Sequence, residues 1–367
     1  MLADRMKLIN ASGIRKVFDL AARIKNPINL SIGQPDFDVP DVAKDAAIRA
    51  IRDGHNKYTQ TQGTGELCRR VADDLKARFG LVDPPVLVTS GVSGGLLLAL
   101  MATVNPGDEV LIADPYFVMY KHLTRVIGGK PVFIDTYPDF HLTADRIRPH
   151  ITERTRLLML NSPCNPSGAV MTQQEIDDIL ALAAQHDLLV LSDEIYDAFC
   201  YDGPHASACG RYDKVLLLKG FSKTYGMTGW RLGYATGPAQ VIQAMTMLQQ
   251  YTFVCAPSMV QAGGLAAMDL GMEEEVAGFA ERRDLMYDAL KDDFEIVRPS
   301  GAFYMFPKAP GGRAEEFVAE AIKNEVLIIP GNVFSERATH FRLCYTVDRD
   351  QLLRGAEILC RLARQMR

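Results

Sequence analysis

The residues with the clearest chemical potential fall in four short stretches. Lys223 lies in the run from Lys219 to Arg231, among glycines, aromatics and small hydroxyls rather than on a charged helix face. A lysine in such surroundings tends towards a depressed pKa and can act as a Schiff-base nucleophile, although most lysines are simply solvated. Asp193 follows the apolar run Leu188 to Leu191, a place where a carboxylate needs either a cation or the bland role of a helix N-cap. Asn165 belongs to Asn161-Ser162-Pro163-Cys164-Asn165-Pro166-Ser167-Gly168, where each proline holds its predecessor extended and so aims the amides, unless the stretch is only a structural turn. Ser93 and Gly94 lie in Thr89-Ser90-Gly91-Val92-Ser93-Gly94-Gly95, which leads into a helical pattern. Free N–H groups at a helix start favour an anion, though a plain tight turn has the same composition.

Taken together the four stretches ask for a ligand with a phosphate, a ring nitrogen able to hold a proton, a phenolic oxygen and an amine-reactive aldehyde. Pyridoxal phosphate has all four. The stretch at Ser90 lacks the lysine of a P-loop and does not follow the dinucleotide GxGxxG pattern.

Each stretch follows a short apolar run, and these runs alternate with helical patterns. Strands are expected near Val86-Val88, Val110-Ile112, Val132-Ile134, Leu157-Leu160, Leu188-Leu191, Val215-Leu218 and Leu232-Ala235, with helices over Gly95-Val104, Phe117-Val126 and Gln173-Gln185. Almost wholly apolar strands separated by helices need cover on both faces. The fold class is α/β, a three-layer α/β/α large domain with a mostly parallel sheet over residues 40–270. Residues 1–39 and 271–367 form a smaller α+β domain. There, helices are expected over Glu273-Lys291 and Asp350-Arg364, and short strands near Phe294-Val297, Ala302-Phe306, Val326-Ile329 and Phe341-Tyr345. Ligands of open α/β sheets gather at the carboxyl ends of the strands, where the four stretches fall.

Composition removes other classes. The 367 residues carry 40 Lys+Arg against 45 Asp+Glu, a formal charge of −5, so no basic surplus invites nucleic acid. The longest apolar stretch, Leu96 to Val104, is about half of what spans a bilayer. No secretory signal is read at the N-terminus, and the seven scattered cysteines and seven dispersed histidines give no CxxC, disulfide framework or metal motif. The expected location is the cytoplasm.

From about Leu30 onward the chain resembles the class I/II aminotransferases, fold-type I pyridoxal-phosphate enzymes of aspartate aminotransferase-like build. The motifs, in order, are Ser31-Ile32-Gly33-Gln34-Pro35-Asp36-Phe37, Tyr58-Thr59-Gln60-Thr61-Gln62-Gly63, Asn161 to Gly168, Asp193-Glu194-Ile195-Tyr196, Ser222-Lys223 through Gly229-Trp230-Arg231, and Phe341-Arg342-Leu343. The resemblance implies amino-group transfer between an L-amino acid and a 2-oxo acid by ping-pong kinetics. Lys223 is then the Schiff-base lysine and proton shuttle, Asp193 the partner of the ring nitrogen, and Tyr196 and Asn165 the partners of the phenolic oxygen. Ser93, Gly94, Ser222 and Arg231 would hold the phosphate, and Phe117 would stack on the ring. Tyr58 would reach the phosphate of a second subunit, which implies a homodimer. Arg342, Gly33 and Asn165 would bind the substrate carboxylate.

Two departures stand out. Gly220 occupies a position where many relatives place a phosphate-binding serine, and no arginine plainly suits a distal carboxylate. Arg15, in a segment that covers the site in relatives, reads as a solvated charge. Phe303 and Tyr304, with Ile14 and Tyr58, form either a mixed aromatic and apolar pocket or core packing. A C–S lyase or another lyase on the same scaffold shares these motifs. A regulatory domain that senses the cofactor is disfavoured, because only about 29 residues precede Leu30.

Overall fold

The run Leu157-Leu158-Met159-Leu160 is apolar on both faces, so a strand built from it must be covered twice. The computed structural model, which describes residues 1–9, 13 and 24–367, covers it so. Leu157 and Met159 pack in one cluster with Leu96, Val110 and Ile242, while Leu158 and Leu160 pack in another with Leu111, Ile176 and Ile179. One residue of register separates the two layers.

The strands of this sheet are β2 (Leu87–Ser90), β3 (Glu109–Asp114), β4 (Lys130–Asp135), β5 (Thr155–Asn161), β6 (Leu189–Asp193), β7 (Val215–Gly220) and β8 (Leu232–Thr236), following a short β1 (Ile28–Asn29) near the N-terminus. Their spatial order is β2-β8-β7-β6-β5-β3-β4. Only β8 runs antiparallel to its neighbours, so the carboxyl ends of the other six share one edge. Helices Gly91–Thr103 and Ala239–Gln250 contribute to the cover of one face, and Gln173–Gln185 to that of the other. The expected three-layer arrangement holds. The expected helix Phe117-Val126 forms as Val118–Val126, while helices Asp41–Arg52, Gly65–Phe79, Ala144–Ile147, Ala239–Gln250, Ser258–Ala267 and Ala314–Lys323 were not singled out from the sequence.

The C-terminal part differs in detail from its reading. The expected strand at Phe294-Val297 does not form. The Phe294 N–H goes back to Leu290 O at the end of the preceding helix, Lys308 N–H to Glu295 O ties the segment once more, Pro299 has no N–H to give, and Phe294 packs edge-on against Phe317 and Phe341. The expected strand Ala302-Phe306 shrinks to β9 (Tyr304–Met305), since Ala302 adopts φ 53°, outside strand geometry. The apolar run Val326-Ile329 is divided between β10 (Val326–Leu327) and β11 (Ile329–Pro330), which pair with different strands. β10 pairs in parallel with β1, and β11 joins β12 (Phe341–Cys344) and β9 in a small antiparallel sheet. The long helices run Glu273–Leu290 and Arg349–Met366, close to expectation. Ile14 and Arg15 lie outside the described residues.

Candidate active site

Five parallel strands deliver the site. β2 ends at Ser90 and passes directly into the helix Gly91–Thr103, β3 leads to Phe117, β5 ends at Asn161, β6 ends at Asp193, and β7 runs into Ser222 and Lys223. Asn161 stands opposite Asp193 in the ladder, and Asp193 opposite Leu218. Residues far apart in sequence therefore meet at one edge.

They surround a cavity of about 460 Å³. Of the twelve candidate residues, ten line it: Gly33, Ser93, Phe117, Asn165, Asp193, Tyr196, Ser222, Lys223, Arg231 and Arg342. Gly94 does not; it lies under the first turn of the helix, where a Cβ would sit 3.1 Å from Ser90 Cβ and 3.6 Å from Phe253. Val92 takes its place beside Ser93 on the wall. Tyr58 is also elsewhere, 85% exposed on the surface of this chain.

Lys223 donates from Nζ to the Gly33 carbonyl at 2.7 Å, and its Nζ stands 5.8 Å from the Tyr196 ring and 5.7 Å from that of Phe303. Loss of hydration, with Arg342 and Arg231 nearby, pushes its amine down to about 8. Asp193 is buried, and that burial raises its carboxyl to about 6 against the opposing effect of two donors. These are the Tyr120 hydroxyl at 2.7 Å and the Ile195 N–H at 3.3 Å. No helix follows Asp193, so it caps none.

Arg342 is buried and lies 4.6 Å from the Tyr304 ring centroid and 4.4 Å from that of Phe334. Its Nη1 donates to Asn165 Oδ1 at 3.0 Å and its Nη2 to the Ser31 carbonyl at 2.7 Å. Each Nη keeps a second hydrogen, and Nε, also buried, has no partner among the described residues. The guanidinium is held in place yet retains donors for an anion. Arg231 adopts φ 57°, and a Cβ on Gly91 (φ 65°) would stand 2.8 Å from Arg231 Nη2. Glycine at 91 therefore lets the arginine close onto the helix start.

Sequence reasoning did not find Tyr120. Its signal is the spacing Phe117 to Tyr120, one helical turn on the same face. The open question over Phe303 and Tyr304 divides between them. Phe303 is core, fully buried against Tyr196, Phe199 and Phe279, while Tyr304 lines the cavity.

Many known proteins are similar to this chain in sequence and in fold. The family model for aminotransferase class I and II matches residues 25–359. A probable aspartate aminotransferase of Methanocaldococcus jannaschii is 38% identical, over 98% of this chain and 99% of the relative. An aromatic-amino-acid aminotransferase of Thermococcus litoralis is 36% identical, over 96% of this chain and 95% of the relative. The solved structure of Thermus thermophilus aspartate aminotransferase with maleate superposes with a TM-score of 0.93 at 32% identity, covering 99% of each chain.

Proposed function

The chain belongs to the class I and II aminotransferases and is an aminotransferase, and from that premise we propose that this cavity holds pyridoxal 5′-phosphate and passes an amino group between an L-amino acid and a 2-oxo acid. The observation that carries the proposal is the part-buried Lys223, its amine pushed down to about 8 beside Asp193 and two arginines. The cofactor would supply an aldehyde for the amine and a conjugated ring that withdraws electrons from the substrate.

The donor set fits that group. The N–H groups of Val92 and Ser93, with Ser222 and Arg231, offer a cradle of the right sign for a phosphate. Asp193 is anionic at neutral pH and already oriented by Tyr120 and Ile195, so it can hold a proton on a ring nitrogen. Tyr196 and Asn165 offer donors to a phenolic oxygen, and Phe117 an aromatic face. Arg342 holds a carboxylate through its remaining donors, fixing which end of the amino acid faces Lys223. With its amine lowered to about 8, roughly a tenth of Lys223 is unprotonated at pH 7, far more than for an ordinary lysine, so it can attack a carbonyl carbon and then carry a proton between two carbons of the bound pair.

The division into a cofactor unit over residues 40–270 and a smaller unit made of 1–39 and 271–367 belongs to the same proposal. So do a cytoplasmic setting and a homodimer in which Tyr58 reaches across to the partner's phosphate site. Reduction of the cofactor-loaded protein with borohydride should fix the label on the peptide containing Lys223; a label on another lysine overturns the assignment. An amino acid given without an acceptor should release one 2-oxo acid per site and stop. Continuous release of ammonia would overturn the transfer chemistry.

A further inference from the structure

We propose that the Tyr304 hydroxyl is a positioning group for Tyr196: it donates to the Tyr196 oxygen, turns the Tyr196 proton towards the cavity, and fits there because residue 33 is glycine. This rests on the reading that Tyr196 faces the phenolic oxygen of the cofactor. The two hydroxyls lie 2.8 Å apart, both on buried side chains, with the rings crossed at 88°. Among the described residues each hydroxyl finds only the other as partner. One shared bond uses one of the two protons and leaves the other free to point onward.

The direction of the bond follows from packing, with acidity in support: the Tyr304 oxygen is lodged against Gly33, 1.9 Å from where a Cβ would stand, and finds its acceptor in the Tyr196 oxygen. Burial raises both phenols and Arg342 lowers both, but Tyr304, against whose ring the guanidinium lies, rises only to about 12, whereas Tyr196 is pushed well above its usual value, burial first and Tyr304 next. The more acidic hydroxyl is the better donor, so Tyr304 donates and Tyr196 keeps its proton for the cavity. The other charged or titratable groups facing this pair and Lys223 are Asp193, Arg231, Cys344, Tyr120 and Tyr345. None of these bonds to either hydroxyl: Tyr120 donates to Asp193 and Tyr345 to the Ala302 carbonyl.

Gly33 supplies the room. A Cβ there would stand 1.9 Å from the Tyr304 oxygen and 2.5 Å from its Cε1. The hydroxyl thus occupies the space that any other residue at 33 would claim. A donor behind a donor polarises it, so loss of the Tyr304 hydroxyl weakens what Tyr196 gives to an oxygen in the cavity. That oxygen is then less stabilised as an anion, and the lysine–cofactor chromophore keeps its proton to a higher pH.

The test is a pH titration of the absorbance of the cofactor-loaded enzyme. Tyr304→Phe, which preserves shape, should raise the midpoint by roughly half a pH unit, a fraction of one neutral hydrogen bond. Tyr196→Phe should raise it further, and adding Tyr304→Phe to that background should change nothing more. Gly33→Ala, with both tyrosines present, should reproduce the Tyr304→Phe shift. The KM for the amino acid should stay within about twofold in Tyr304→Phe. An unmoved midpoint in Tyr304→Phe while Tyr196→Phe still shifts it overturns the relay alone. So does a Tyr304→Phe shift that persists undiminished in the Tyr196→Phe background, or a KM rise with no shift. An unmoved midpoint in Tyr196→Phe overturns the reading of Tyr196 itself, and the relay with it.

Discussion

Asp193, the last residue of β6, and Asp197 stand four residues apart, as do Lys219 and Lys223 at the end of β7, yet the two members of each pair behave in opposite ways. On the cavity side, Asp193 is raised to about 6 and Lys223 lowered to about 8, both chiefly by loss of water. On the far side, Lys219 Nζ and Asp197 Oδ2 are 2.5 Å apart with side chains only 9% and 12% exposed. Burial alone would raise Asp197, but Lys219, His205 and Arg78 bring it below its ordinary value; Asp197 in turn lifts Lys219 above its own. Burial is common to all four groups. What differs is a counter-ion within hydrogen-bond reach. The fold withholds that partner from the pair on the cavity side and grants it to the pair on the other.

The sharpest way to break this contrast is Lys219→Met. It leaves Asp197 without its closest cation and should cost about 3–5 kcal/mol of unfolding free energy in a urea titration. A loss below about 1 kcal/mol would mean that the far-side pair is not the anchor described. Asp193→Asn should act with the opposite sign. Because the folded pKa lies near 6, above the ordinary 3.8, the carboxyl's favourable contribution is complete below pH 3.8 and is lost as pH rises through 6. At neutral pH the cofactor-free Asn variant should therefore be more stable than the parent, by on the order of 2–3 kcal/mol. The gap should close towards pH 4, while amino-group transfer collapses. Denaturation curves taken across that range check both the sign and the window.

A smaller effect sharpens the cavity side alone. Tyr120→Phe removes a donor 2.7 Å from Asp193, so the carboxyl should hold its proton to a higher pH. The loss is about 1.5 kcal/mol, near tenfold in transfer rate and greatest on the acid side of the pH profile. A flat profile relative to the parent would show that Ile195 N–H suffices to hold the carboxylate.

The sheet was legible because its strands are buried on both faces and bounded by Gly, Pro, Asn and Asp; the helix Gln173–Gln185 was read to the residue. The cavity residues were legible because they follow those strands. The small C-terminal sheet was less so, since a two-residue strand such as Tyr304–Met305 has no period to read, and Phe294 is apolar for aromatic packing rather than pairing. Tyr120 and Lys219 escaped for a different reason. A tyrosine within a helix and a lysine at a strand end have ordinary roles in most chains. Only the partner, 73 residues away for Tyr120, gives each its meaning.

The bonds of Arg342 bear on how the molecule comes into being. One joins it to Asn165, 177 residues earlier, and the other to Ser31, 311 residues earlier. A chain emerging from the ribosome completes Ser31, the whole seven-stranded sheet, Asp193 and Lys223 long before residue 342 exists. Loop-closure entropy over such a separation is recovered only when the last strand, β12, docks. The Arg342 guanidinium is thus among the last parts to be assembled, and a chain cut short before Phe341 would carry Lys223 and Asp193 without the arginine proposed to orient an incoming amino acid.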